Sequence, residues 1–145
     1  MKILVINGPN INMLGIREPK IYGTESYNSL VERIKMYGIN EKIDIECFQS
    51  NHEGEIVDKI QQSFGFCDGI VINPAAYSHT SIAIHDALKC VNIPVVEVHI
   101  SNPDERDEFR KTDYVSLVCK KVIKGHGVNG YFEALDFLRS KINES

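Results

Sequence analysis

The sequence predicts an α/β fold, a flavodoxin-like, doubly wound parallel sheet of five strands in the order 2-1-3-4-5 with helices on both faces. Three features predict it. Short runs rich in Val and Ile, not alternating with polar residues, suit strands covered on both faces. Segments with apolar residues at helical spacing lie between those runs. The alternation fills residues 1–145 without linker, repeat or low-complexity stretch, which implies right-handed crossovers within one domain.

Ile3 to Ile6 reads as the first strand. Leu30, Ile34 and Tyr37 form the stripe of a helix closing at Gly38. Ile43 to Phe48, with Ile43, Ile45 and Cys47 turned inward, reads as an edge strand. Ile56, Ile60 and Phe64 mark a helix closing at Gly65, Ile70 to Ile72 a third strand, and Ala83, Ala87 and Leu88 a helix ending before Pro94. Val95 to Val98 is the fourth strand. The signal weakens after Arg110, where Lys121 to Lys124 gives a fifth strand and Tyr131, Leu135 and Leu138 a last amphipathic helix.

Composition narrows the function. Lys and Arg number 16 against 20 Asp and Glu, and the formal charge of −4 gives no footprint for nucleic acid or an anionic membrane. The cysteines Cys47, Cys67, Cys90 and Cys119 lie far apart without a C-x-x-C pair, as expected of free thiols in a reducing compartment. No apolar run approaches the roughly 18 residues of a membrane span, and Ile3 to Ile6 is too short for a signal-peptide core, so a cytoplasmic protein is expected.

Open parallel sheets bind ligands beyond the carboxyl ends of their strands. Those ends read Asn7-Gly-Pro-Asn10, Gln49-Ser-Asn-His52, Asn73-Pro74 followed by His79, and His99 with Ser101 and Asn102, so histidines and amides gather along one edge. The loop from Gly8 to Thr24 is longer than the usual βα connection of about two to six residues, and such loops are generally functional. It carries Arg17, Glu18 and Tyr22. A phenol ordinarily ionises near ~10, so Tyr22 acts as a base at neutral pH only beside a cation, for which Arg17 is the candidate. Glu97 and His99, two apart on a strand, project to one side, where the carboxylate would fix the imidazole tautomer and raise its proton affinity for general acid work. The amides of Ile100 and Ser101 lead toward an expected helical turn at Asp104 to Lys111 and offer donors to an anion, with Arg110 adding charge.

Other motifs fail. Gly125-His-Gly-Val-Asn-Gly130 matches G-x-G-x-x-G, but no ribose-binding acid or further strand follows it, so its glycines are assigned to a tight turn and helix packing. There is no P-loop, H-E-x-x-H or G-x-S-x-G. On the residues alone three classes stay open: an acid–base enzyme, a flavodoxin-like module holding a nucleotide or flavin, and a metal-dependent hydrolase or lyase using His79, His99, Asp86 and Glu97. A missing phosphate loop after the first strand counts against the second, and absent ligand spacing against the third.

Five blocks carry a resemblance. Asn7-Gly-Pro-Asn-Ile-Asn12, Arg17-Glu-Pro-Lys-Ile-Tyr-Gly23, Gln49-Ser-Asn-His-Glu-Gly-Glu55, Asn73-Pro-Ala-Ala-Tyr-Ser-His-Thr-Ser81 and Glu97-Val-His-Ile-Ser-Asn102 closely resemble the type II 3-dehydroquinate dehydratases of the shikimate pathway, in order and over almost the whole chain. The resemblance implies dehydration of 3-dehydroquinate to 3-dehydroshikimate through an enolate, without metal or other cofactor. It implies Tyr22 as the base, Arg17 as its activating cation, Asn10 with a water at the enolate, and His99 as the acid supported by Glu97. It further implies substrate binding by Asn73, His79, Ile100, Ser101 and Arg110, and by Asp86 across a subunit contact in a homododecamer built as a tetramer of trimers. The sequence departs from the family pattern at His85, at Asp104-Glu105 and at His126, none of them a proposed catalytic group.

Overall fold

A computed structural model describes residues 1–16, 18–22 and 24–144, the side chain of Pro19 excepted. Strands β1 (Lys2–Asn7), β2 (Asp44–Gln49), β3 (Gly69–Asn73), β4 (Val95–His99) and β5 (Lys121–Lys124) form one sheet in the order β2-β1-β3-β4-β5. Every neighbouring pair is parallel, with Ile3 opposite Ile45 and Gly69, and Glu97 opposite Val122.

Successive strand residues face opposite sides, so each strand feeds two cores. Ile3 and Val5 join Val71, Val96 and Val98 beneath α2 (Tyr27–Glu41) and α5 (Asn129–Asn143), which contribute Leu30, Ile34, Tyr131, Leu135 and Leu138. Leu4 and Ile6 join Ile70, Ile72 and Val95 beneath α3 (Glu53–Gln62) and α4 (Ile82–Val91), which contribute Ile56, Ile60, Ile84 and Leu88. Burial of each such aliphatic side chain is worth about 1.5–3 kcal/mol.

Several boundaries differ from the expectation. The α2 helix runs through Gly38 and ends at Lys42, whose φ of 58° makes the left-handed cap. Gly38 is instead a packing residue, because a Cβ there would meet the Ile43 carbonyl oxygen at 2.8 Å. Phe64 lies beyond α3 and is exposed, and in α4 the inward residue is Ile84, not Ala83. In place of the helical turn expected over Asp104 to Lys111 there are two short 3-10 turns, Pro103–Glu105 and Glu108–Arg110. Ser26 and Ser81 cap α2 and α4 by accepting from Ser29 N at 3.1 Å and Ile84 N at 2.9 Å.

The carboxyl edge is stitched together by backbone bonds. Gly8 N donates to Asn73 O at 2.8 Å and Ser50 N to Asn7 O at 3.0 Å. A Cβ on Gly8 would sit 2.6 Å from the Pro74 carbonyl oxygen, so only glycine lets the β1 and β3 turns approach this closely. No helix among the described residues is long and apolar enough to cross a membrane.

Candidate active site

A cavity of about 180 Å³ opens at that edge, lined by Asn10, Tyr22, Asn73, His79, His99, Ile100, Ser101, Arg106 and Arg110 among others. Eight of the eleven residues singled out in the sequence are therefore brought together here, all but Arg17, Glu97 and Asp86. Arg17 lies outside the described residues. Glu97 sits immediately behind the cavity wall, fully buried and bonded to His99. Asp86 does not line the cavity: it lies on α4, its side chain 66% exposed and 3.0 Å from His85 Nδ1.

Each side chain is placed by a local cause. Asn10 holds φ 71°, a left-handed conformation that Asn tolerates, and its N–H donates to Asn51 Oδ1 at 3.0 Å. Asn73 is locked from two sides, with Nδ2 donating to the Tyr131 hydroxyl at 2.9 Å and Oδ1 accepting from Ala75 N at 3.1 Å. The Tyr131 hydroxyl in turn donates to Asn7 Oδ1 at 2.6 Å. His79 Nδ1 faces the Thr112 carbonyl at 2.7 Å, and a carbonyl only accepts, so Nδ1 bears the hydrogen. Gly125 N donates to the carbonyls of His99 and Ser101, each at 3.2 Å, and Gly127 N to Ile100 O at 3.0 Å. The Gly125–Gly130 segment thus braces the turn that follows β4, with Gly125 and Gly127 at φ of 83° and 61°, a left-handed backbone that glycine adopts without strain.

Electrostatics separates two sides of the cavity. His99 Nε2 is hydrogen-bonded to Glu97 Oε2 and lies 3.7 Å from Asp113 Oδ2. Burial alone would depress the His99 pKa, but nearby Asp113 and the hydrogen-bonded Glu97 outweigh it, and the net shift is upward. Burial pushes Glu97 up. On the other side Arg106 Nη1 donates to the Tyr22 hydroxyl at 2.7 Å. Arg106, Arg110 and His79 line one small space, which suits an anionic ligand. A more open groove of about 610 Å³ shares Tyr22, Ile100, Ser101 and Arg106 with it but contains no histidine.

Two residues at this site escaped the sequence. Arg106 and Asp113 come from the irregular stretch between β4 and β5, where no periodicity or motif distinguishes them from solvated charges. Glu97, His99 and Asp113 are also the group among the described residues whose ligand atoms, all within 4.8 Å of one another, suit a metal ion; the His79 and Asp86 of the sequence-based metal alternative are not part of it.

A profile of the family Dehydroquinase class II matches residues 1–139. The chain belongs to that family. It is 54% identical over 144 residues to the 3-dehydroquinate dehydratase of Aliarcobacter butzleri, covering 99% of this chain and 88% of the relative. It is 50% identical over 144 residues to the enzyme of the same name from Thermotoga petrophila, covering 99% of each. The crystal structure of type II dehydroquinase from Butyrivibrio crossotus superposes with a TM-score of 0.94 at 55% identity, covering 96% of this chain and 97% of that one. Membership in the class II dehydroquinase family and the five-stranded sheet order agree with what the sequence led us to expect.

Proposed function

We propose that this protein dehydrates 3-dehydroquinate to 3-dehydroshikimate by acid–base chemistry at the carboxyl edge of the sheet, in the shikimate pathway of the cytoplasm. The observation that carries the reading is the meeting, over one cavity, of a phenol engaged by a guanidinium and an imidazole backed by carboxylates. Tyr22, as phenolate, takes the proton from C2 beside the ketone, and the electron pair moves onto the carbonyl oxygen as an enolate. Asn10, with a water, stabilises that oxygen. Collapse of the enolate expels the C1 hydroxyl, which takes a proton from His99 and leaves as water. Glu97 holds the imidazole through Nε2, which leaves Nδ1 for the substrate.

Ile100 and Ser101 present backbone N–H groups to the substrate carboxylate, and Asn73, His79 and Arg110 bind ring hydroxyls. Arg17 acts with Arg106 as the cation at the phenol. Asp86 serves a neighbouring subunit in a homododecamer of four trimers. The chemistry requires no metal or organic cofactor.

The test is direct: ultraviolet absorbance of the conjugated product when 3-dehydroquinate is added to purified protein in excess chelator. Tyr22→Phe and His99→Ala should each lower kcat by at least about a hundredfold with unchanged circular dichroism. Absence of product, or near-normal turnover by Tyr22→Phe, would overturn the reading. A coloured protein carrying a bound flavin, inert toward dehydroquinate, would restore the binding-module alternative.

A further inference from the structure

The acid side of the cavity holds a third ionisable group that the proposed steps do not use. Asp113 lies just before the turn Val115–Val118, where its Oδ1 accepts from Ser116 N at 3.0 Å. Its Oδ2 points the other way, to 3.7 Å from His99 Nε2, the same ring nitrogen that Glu97 Oε2 engages. Glu97 is fully buried, His99 nearly so, and the Asp113 side chain is 19% exposed. One ring nitrogen carries one proton and cannot satisfy two carboxylates. Two carboxylates this close, with so little water, are not both ionised without a large cost, and one retains its proton. Their surroundings decide which. Asp113 is the more exposed and receives a backbone N–H, both of which favour its anion. Glu97 is sealed, with an Oε1 that has no partner among the described residues, which disfavours its anion.

Building on the reading of His99 as the acid, we infer that Asp113 is a positioning residue: as the ionised member of a buried Asp113–His99–Glu97 cluster it keeps Glu97 protonated at neutral pH, so that the imidazolium has a second dissociable proton stored behind it. The direction of each titration agrees. Burial, reinforced by Asp113, raises Glu97 against the pull of His99. Burial would raise Asp113 too, but the neighbouring His99 and Glu97 and the hydrogen bond from Ser116 N hold it below the usual range. As pH rises, Glu97 ionises and the imidazolium then faces two carboxylates, so His99 keeps its charge to higher pH than one carboxylate would allow. The other groups around the ring make this second anion consequential. The His79 ring stacks on His99 with centroids 6.4 Å apart, and Arg106, Arg110 and Tyr22 line the same cavity. Cys119, between the two acids electrostatically, is driven up by burial and by both carboxylates and stays a neutral thiol. Lys124, beside His99 in the β4–β5 register, turns its ammonium to Asp104.

Asp113→Asn is the informative variant, because it keeps an oxygen for Ser116 N while removing the charge. The infrared stretch of a protonated carboxyl group should be present in the wild-type protein at neutral pH and missing from both Asp113→Asn and Glu97→Gln. The His99 imidazole titration, followed by NMR, should move down by about one pH unit in Asp113→Asn, a tenfold loss of proton affinity. The alkaline limb of kcat should follow it with KM little changed, and Asp113→Glu should restore both. If Asp113→Asn fails to fold, Asp113→Ser takes its place, and the wild-type and Glu97→Gln spectra stand on their own. No protonated-carboxyl band in the wild type, or an unmoved His99 titration in Asp113→Asn, overturns the inference and leaves the role of His99 intact. A His99 titration that moves while the alkaline limb of kcat stays put supports the cluster and overturns only the assignment of His99 as the acid.

Discussion

Arg106 Nη1 donates to the Tyr22 hydroxyl at 2.7 Å, and its guanidinium carbon stands 5.3 Å from the centre of the Tyr22 ring. The two residues are 84 positions apart and meet only because the turn after β4 folds back toward α1 (Pro19–Tyr22). Such a bond strengthens as the acceptor gains charge, since charge-assisted hydrogen bonds are roughly twice as strong as neutral ones. Arg106→Ala should lower kcat by about a hundredfold or more, the scale of disabling a general base, and Arg106→Lys should recover part of it. Steady-state kinetics decide this, and an Arg106→Ala variant with normal kcat would remove Arg106 from the chemistry.

Tyr131 works from beneath the site. Its buried hydroxyl bridges Asn7 Oδ1 and Asn73 Nδ2, and Asn73 is one of the residues lining the cavity. Tyr131→Phe keeps the ring in the core but strands both amides, at a cost of about 1–3 kcal/mol. With Asn73 held only through Ala75 N, KM should rise more than kcat falls. Denaturant unfolding and kinetics on the same preparation test both halves, and a variant as stable as the parent with an unchanged KM contradicts the bridge.

Asp86 makes the opposite kind of prediction, because it does not line the cavity within one copy of the chain. On the proposed cross-subunit role, Asp86→Ala should lower the sedimentation coefficient relative to the parent protein or raise KM, with kcat less affected. A variant with the parent's sedimentation coefficient and unaltered constants would refute the cross-subunit role.

Much of this was legible in the sequence because its strands are written in Val and Ile. The runs at Ile3, Ile70 and Val95 are buried on both faces, and Glu97 is the one polar residue among them, so they are not confused with amphipathic helices. Gly38 misled for a physical reason: glycine marks a helix end when its φ is positive, but here it marks contact with the Ile43 carbonyl inside a continuing helix. The Glu97 and His99 pair was visible because strand periodicity alone puts both on one side. Arg106 and Asp113 were not, since they sit in irregular backbone between short 3-10 turns, whose course depends on tertiary contacts such as Gly125 N to Ser101 O. Tyr131 was read as core from its spacing, correctly for the ring, while the role of its hydroxyl rests on Asn7 and Asn73, which spacing cannot reach.

The cluster behind His99 also sets how stability depends on pH. Glu97 is raised from 4.5 to about 8, chiefly by burial. His99 is raised from 6.5 to about 9, burial being outweighed by Asp113 and Glu97. A raised value means that the folded chain binds the proton more tightly than the unfolded one. Each group thus contributes stability that is complete below its ordinary pKa and lost as pH climbs through its folded pKa. For Glu97 that loss runs from 4.5 to about 8, and for His99 from 6.5 to about 9. Asp113, lowered from 3.8, has the opposite sign and contributes stability that disappears in acid. The melting temperature should therefore decline as pH rises from about 6 to about 9, the reverse of the trend that salt-bridged carboxylates alone would give. Glu97→Gln removes one of the two titrations and should flatten the decline over its lower part, leaving the portion that belongs to His99. Thermal melts of both proteins across that range provide the check, and equal slopes would mean that Glu97 is ionised throughout and contributes nothing to the trend.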